Sequence, residues 1–503
     1  MIRELPMPRK ITPSGIIAPV TRGDGETAIV QKIFINGAWV HALHEEQTHD
    51  IRNPATLEIL GTVPDCGSGD VARAVAAARA AQPEWRNVPA ATRTALLREI
   101  GGRIGARERE LATLLTRESG KPLCESVDCI RAVVALHERD FAPQQSAGVI
   151  AVILPFNFPL LLMACTVTRA IAAGNSVVCK PAHQNPLTNL ALAEAYDVLP
   201  AGVVNLITGG ANTGRALADH PDVDRVTFTG SALVGLQIAA AAQRKELDLE
   251  LGGIDSFIVC RDADLDLTVP SIAWARLQNC GQGCTTGRHI YVERSVAAEF
   301  VERMHQCVGF LDVDDPMRRP TDLGPLICLE AARRVEDQVG RSLRDGAKLV
   351  LGGRRFRPSG LPGHFFQPTI LSDVRPGSVP TREEISGPVI TITPVADAIE
   401  AIRFAGDPGI TFGASIYTRD PEAAMQTLGS IKRGALRIND PPTNDLPGPF
   451  GSMRHGGLGH ARGTARAGAN QTPEEVRVAA APGPKSWWFP YGARRLPDGW
   501  GAR

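Results

Sequence analysis

Two residues suited to covalent chemistry stand among glycines. Glu250 is followed by Leu251-Gly252-Gly253. Cys284 is preceded by Cys280-Gly281-Gln282-Gly283 and followed by Thr285-Thr286-Gly287-Arg288. A thiolate attacks a carbonyl, and a carboxylate activates the water that releases the acyl group so formed. The glycines let the backbone approach a ligand closely or take positive φ. Cys284 is one of 10 cysteines. A free cysteine most often packs as a small apolar residue, so the rest of the chain has to decide its role.

The elements that must position such a pair follow from size and pattern. A chain of 503 residues exceeds one hydrophobic core and implies two or three domains. With 43% hydrophobic and 21% charged residues it reads as a globular protein. Lys plus Arg equals Asp plus Glu at 54 each, and no basic run appears, which argues against nucleic acid or an anionic membrane as partner. The first residues lack the apolar core of a signal peptide, and no apolar stretch has spanning length, so a cytoplasmic protein is expected. The cysteines suit a reducing compartment, and without a His/Cys cluster of zinc spacing no metal is expected.

Residues 1 to about 30 read as a loose arm, and Ile33–Val40 as a strand and turn. Asp70–Ala81 reads as a helix capped by Asp70, and Thr92–Glu118 as a helical region interrupted at Gly101-Gly102 and Gly105. From Gly148 to Cys260 short apolar runs alternate with helical stretches. The runs Val149–Ile153, Ser176–Cys179, Val203–Ile207, Arg225–Phe228, Leu247–Leu251 and Phe257–Cys260 predict buried strands. Leu187–Leu199, Gly214–His220 and Leu233–Ala242 predict helices between them. The alternation implies an α/β fold with a parallel sheet, binding ligands at the carboxyl ends of its strands. Trp487, Trp488, Phe489 and Tyr491 crowd the C-terminal region of a chain that is only 5% aromatic. That region could cover another subunit, cover its own body, or stay partly disordered.

Glu250-Leu-Gly-Gly followed by Gly281-Gln-Gly-Cys284 resembles the catalytic pair of the aldehyde dehydrogenase superfamily. Five further stretches match that pattern in order: Pro155-Phe-Asn157-Phe158-Pro, Lys180-Pro-Ala-His183, Phe228-Thr-Gly230-Ser231, Glu383-Glu384-Ile-Ser386-Gly-Pro, and Pro449-Phe-Gly-Ser-Met-Arg-His-Gly-Gly-Leu-Gly459. The resemblance implies a Rossmann-type cofactor domain, a catalytic domain and an oligomerisation element. It makes Cys284 the nucleophile, Glu250 the base and Asn157 an oxyanion donor. It places NAD or NADP against Pro155, Lys180, His183, Gly214, Gly230, Ser231, Leu251 and Glu384. Lys180 would meet the adenosine ribose, Ser231 the pyrophosphate at a strand-to-helix junction, and Glu384 the nicotinamide ribose. A GxGxxG fingerprint is absent, which counts against an ordinary Rossmann enzyme but not against this family.

Two departures bear on the cofactor. Histidine stands at 183, where NAD-preferring members often have a glutamate that repels a 2′-phosphate. Serine stands at 386, where a phenylalanine usually packs beside the nicotinamide. By the same pattern Phe158, Leu161, Leu162 and Cys165 line an apolar substrate pocket, and Gly287-Arg288-His289 with Phe156 leans toward aromatic aldehydes. Between Lys121 and Pro155 the chain is shorter than in most members, which implies a reduced oligomerisation arm and a homodimer rather than a higher assembly. The expected division is 1–136 and 148–252 for the cofactor domain and 253–463 for the catalytic domain. Segments 137–147 and 464–482 would form the shortened oligomerisation element, and 483–503 an aromatic tail. The expected reaction is oxidation of a small aldehyde to its acid. The rivals are acyl transfer to CoA, which the presence of Glu250 disfavours, and a silent cofactor-binding relative.

Overall fold

In the computed structural model the chain divides into two compact units. Residues 1–53, 57–119 and 126–249 form the first, and residues 54–56, 120–125 and 250–503 the second. The structure describes residues 17–21, 27–44, 46–141, 145–242, 244–253, 255–284, 286–406, 413–428, 435–442, 457–458, 475–479 and 483–493. Most of the glycine-rich stretch that begins at Pro449 lies outside the described residues.

The first unit begins with β1 (Ile17–Thr21) and β2 (Thr27–Gln31), which pair antiparallel. For residues 17–21 and 27–30 the expected loose arm is corrected: β-branched residues favour strands here, and buried Val30 pairs with Thr62 of a neighbouring strand; the rest of that arm lies outside the described residues. β3 (Ile33–Ile35) and β4 (Ala38–Val40) form a hairpin across Asn36 and Gly37, whose φ of 54° and 71° suit a tight two-residue turn. With β5 (Thr48–Arg52) and β6 (Ile59–Pro64), the first two strands make a four-stranded sheet ordered β1-β2-β6-β5.

The main sheet adds β7 (Val149–Ile153), β8 (Ser176–Lys180), β9 (Val204–Leu206), β10 (Arg225–Gly230) and β11 (Glu246–Leu251), in the order β11-β10-β7-β8-β9-β3-β4. Every residue of β7 and β8 is buried, as parallel strands covered on both faces require. The chain steps outward from β7 through β8 to β9, then returns to the other flank of β7 with β10. That reversal is a topological switch point, where open α/β sheets bind ligands.

Helices α1 (Ser68–Arg86), α2 (Ala90–Ala106), α3 (Glu108–Ser119), α4 (Leu123–His137), α5 (Pro159–Ala172), α6 (Leu187–Ala193), α7 (Ala211–Asp219) and α8 (Ala232–Ala241) complete this part of the chain. Two of them correct the sequence reading. The α1 N-cap is Gly67, and the Asp70 carboxylate instead accepts from the Leu43 N–H at 3.0 Å. α2 runs unbroken through Gly101, Gly102 and Gly105. A Cβ on Gly101 would stand 2.8 Å from the Cβ of His137, so this glycine serves close helix packing rather than a turn.

The second unit is built on β12 (Ser256–Val259), β13 (His289–Glu293), β14 (Lys348–Leu351), β15 (Thr369–Ser372), β16 (Val389–Val395), β17 (Gly413–Tyr417), β18 (Ala435–Ile438) and β19 (Glu475–Val478). Their order is β14-β15-β16-β13-β12-β17-β18-β19, parallel except for β14. Ile258, Tyr291, Val395, Ile416, Leu436 and Ile438 form a shared core on these strands. α9 (Leu265–Leu277), capped by Asp264, is buried along most of its length. The C-terminal aromatics cover their own unit: Trp487 stacks edge-on to Trp274 of α9 at 4.4 Å, and Trp488 and Tyr491 are buried. Among the described residues no helix is long and apolar enough to cross a membrane.

Candidate active site

In the second unit, strand register brings the chemical segments to one edge. Ser256 of β12 is level with His289 of β13, and Ile290 of β13 with Ile392 of β16. The segments entering these neighbouring parallel strands are Glu250–Gly253, Cys284–Arg288 and Glu384–Pro388. They therefore arrive at the same, amino-terminal edge of the sheet.

Arg288 clasps the three segments. Its backbone N–H donates to the Asp255 carbonyl at 2.8 Å. Its Nη1 donates to the Ile385 carbonyl at 2.8 Å, and its Nη2 to the Gly283 carbonyl and to Glu384 Oε1, each at 2.6 Å. Glu384 Oε2 lies against Gly252, where any Cβ would overlap it. Glu250 stands just before Leu251-Gly252 and Cys284 adjoins Gly283, so both reach this clasp through immediate neighbours. Glu250 and Leu251 are buried, and Ser386 is half-buried. Cys284 is partly exposed, whereas burial pushes the Cys307 thiol up to about 11 and Cys280 far higher.

The turn before Cys284 is unusual. Asn279, Cys280 and Gly281 have φ of 50°, 55° and 69°, three left-handed residues in succession. Such a conformation costs roughly 1–2 kcal/mol for each residue with a side chain, so the surroundings must impose it. The Asn279 N–H donates to both Glu125 oxygens, at 3.1 and 3.0 Å. Arg276 Nη1 donates to the Gly281 carbonyl at 3.2 Å, and Gln282 Nε2 to the Asn279 carbonyl at 3.1 Å. Glycine is required at 281, because a Cβ would overlap the Gly387 carbonyl.

In the first unit, the carboxyl ends of adjacent strands β8, β7 and β10 carry Lys180, the Pro155–Asn157 segment and Gly230-Ser231. Lys180 is buried, and its ammonium donates to the Pro181 and Gly209 carbonyls at 2.8 and 3.0 Å. Burial lowers it to about 8. A Cβ on Gly214 would stand 3.3 Å from Lys180 Cε, so Gly214 keeps space beside the lysine stem. His183 Nδ1 lies 3.6 Å from Asp65 Oδ1, and His49 Nδ1 lies 3.0 Å from the same oxygen. The two imidazoles stack at 3.6 Å. Burial works to raise Asp65, yet the His49 bond and the charges of His183 and Lys180 hold it below the ordinary carboxylate range.

Ser231 caps α8 in extended conformation with no side-chain bond to the helix, so the first-turn N–H groups face outward as a phosphate cradle does. Leu233 and Val234 of that first turn are exposed apolar surface. The uncapped helix end, the lysine and the glycine-kept space fit a dinucleotide. Asn157 is buried, and its Oδ1 accepts from the Phe158 N–H at 3.0 Å, which orients the amide. Pro155 is half-buried. Phe158, Leu161, Leu162 and Cys165 recur at helical spacing along α5 and are buried. Sequence pattern alone does not single out Glu125, Arg276, Asp65 or His49. The only local signal is Glu125's place just after the Gly120-Lys121-Pro122 break.

A model of the aldehyde dehydrogenase family matches residues 39–472. The chain is 34% identical over 455 residues to a glutarate-semialdehyde dehydrogenase of Pseudomonas aeruginosa, covering 85% of this chain and 93% of that one. It is likewise 34% identical over 455 residues to the NADP(+) succinate-semialdehyde dehydrogenase GabD of Escherichia coli, covering 85% and 94%. Its fold resembles a betaine aldehyde dehydrogenase of Staphylococcus aureus solved with NAD+, with a TM-score of 0.82, 29% identity, and 86% and 94% coverage. The chain belongs to the aldehyde dehydrogenase family. It is an oxidoreductase that converts an aldehyde to the carboxylic acid with NAD or NADP.

Proposed function

We propose that Cys284 is the nucleophile of this oxidation, Glu250 its general base and Asn157 the side-chain oxyanion donor. The Cys284 thiolate adds to the aldehyde carbonyl as a thiohemiacetal. The nicotinamide, when bound, supplies the hydride acceptor. Glu250 then takes a proton from the water that cleaves the thioester. The observation that carries this reading is the Arg288–Glu384 clasp, which holds the neighbours of Glu250 and Cys284 at one sheet edge. Pro155, Lys180, His183, Gly214, Gly230, Ser231, Leu251 and Glu384 are assigned to the cofactor. The proposed domain division is the one expected from sequence, with the contact division at residues 249 and 250 in support.

The substrate we assign is an aldehyde with an apolar, aromatic body. The two semialdehyde dehydrogenases above are named for aldehydes that carry a carboxylate at the other end. The α5 face of Phe158, Leu161, Leu162 and Cys165 offers no charge to meet one. We further assign a cytoplasmic homodimer, supported by the free cysteines and the short 122–154 segment. The decisive experiment is a panel of benzaldehyde and succinate semialdehyde with each cofactor, reading reduced nicotinamide by absorbance. Activity should favour benzaldehyde and vanish in Cys284→Ala. Equal activity of wild type and Cys284→Ala would remove the nucleophile assignment. Light scattering on a sizing column tests the dimer, which a tetramer would overturn.

A further inference from the structure

The left-handed turn ahead of Cys284 is supported by a residue far along the chain. The buried Tyr491 hydroxyl donates to Glu125 Oε1 at 2.9 Å. The same hydroxyl accepts from Trp274 Nε1 at 3.1 Å, and Trp274 belongs to α9, the helix that ends in the turn. The Tyr491 backbone N–H donates to Asp322 Oδ1 at 2.5 Å, and Asp322 Oδ2 in turn accepts from the Asp312 N–H at 2.9 Å. Trp487 packs on the Trp274 ring. One phenol thus joins the helix entering the turn to the carboxylate that receives the turn's first N–H.

We propose that Tyr491 is a positioning residue for the nucleophile, acting through Glu125 on the Asn279–Gly281 turn. This rests on the reading of Cys284 as the nucleophile. Three consecutive left-handed residues, two of them not glycine, keep that shape only while their surroundings hold it. Glu125 supplies the acceptor that Asn279 uses, and Tyr491 fixes the rotation of that carboxylate. Released from the phenol, Glu125 can turn away, and the turn can relax toward ordinary φ. Cys284, the next few residues on, would then be displaced, and small displacements of reacting groups are costly to rate.

The test is Tyr491→Phe, which keeps the ring and removes only the hydroxyl, compared with Tyr491→Ala, Glu125→Gln and the double variant Tyr491→Phe/Glu125→Gln. The direct readout is the alkylation rate of Cys284 by iodoacetamide across pH, with the modified peptide identified by mass. NAD affinity and the melting midpoint are measured alongside. The expected result for Tyr491→Phe is about a tenfold slower alkylation and a matching loss of kcat, with NAD affinity and melting close to wild type. The double variant should be no slower than the slower single variant, because both changes break one relay. Wild-type alkylation in Tyr491→Phe, even with Tyr491→Ala impaired, would reduce the phenol to packing and overturn the inference. Losses that multiply in the double variant would overturn it too. If Cys284 of the wild type is not the cysteine alkylated and needed for turnover, the nucleophile reading falls and takes the inference with it. If Cys284 is alkylated and required, only the relay is at stake.

Discussion

Arg288 donates to Glu384 at 2.6 Å while the same guanidinium holds the Gly283 and Ile385 carbonyls. A planar fork can serve three acceptors at once, and an ammonium cannot reproduce it. Arg288→Lys should therefore leave at least one carbonyl unmet beside Cys284. The expected outcome is a loss of kcat/KM of about tenfold to a hundredfold. Steady-state kinetics on protein shown to be folded by circular dichroism checks it.

In the proposed mechanism Glu250 and Cys284 have separable duties, so their variants should fail differently. Glu250→Gln should still form the thioester and release one equivalent of reduced nicotinamide, then stall because water is not activated. Rapid mixing should show a burst followed by turnover slowed by about a hundredfold or more. Cys284→Ala should show neither phase. A Glu250→Gln enzyme without a burst would place the glutamate in the first chemical step instead.

Burial brings Lys180 down to about 8. Below that pH the ammonium is charged and favours an anionic dinucleotide; above it the charge is lost. NAD affinity should weaken as pH rises through about 8, and Lys180→Met should flatten that dependence. Calorimetric titration between mildly acidic and alkaline pH reads this directly.

Asp65 sets a negative charge beside His183, the residue that the proposed cofactor assignment sets against a 2′-phosphate. The protein should prefer NAD to NADP, and Asp65→Asn should narrow the preference by about tenfold. Binding of ADP compared with adenosine 2′,5′-bisphosphate isolates this effect from turnover. An unchanged ratio in Asp65→Asn would exclude the aspartate from the choice.

Glu118 is buried and accepts from the Leu187 and Thr188 N–H groups at 2.5 and 2.8 Å at the start of α6, and also from the Thr188 hydroxyl. Burial outweighs these bonds and raises it from 4.5 to about 7. Between those values the folded chain keeps a proton that the unfolded chain has released. Its contribution to stability is therefore full below about 4.5 and is lost as pH rises through about 7, by up to about 3 kcal/mol. Denaturant unfolding at pH 5 and 8 should show the decline in wild type and a smaller one in Glu118→Gln.

What the sequence made legible were features with local pattern. The apolar runs of β7 and β8 are buried on both faces, so their composition announced them. The glycines around Glu250 and Cys284 flagged a crowded site because the crowding is real: Gly252 yields to Glu384 and Gly281 to Gly387. Misreadings arose where tertiary contact overrides local preference. Gly101 looked like a break because its reason for being glycine, His137, comes from another helix. Asp70 looked like a cap, yet its bond runs to Leu43. Glu125, Asp65 and His49 acquire their roles only from distant partners, and spacing carries no trace of that.

The link between Tyr491 and Glu125 spans 366 positions in the chain. At roughly 5–20 residues per second of synthesis, the ribosome makes the phenol about twenty seconds or more after the carboxylate it serves. Until then a nascent chain can already present Cys284 without the full frame that shapes its loop. On the proposed role of Tyr491, the loop that carries Cys284 would therefore take its final shape late in translation.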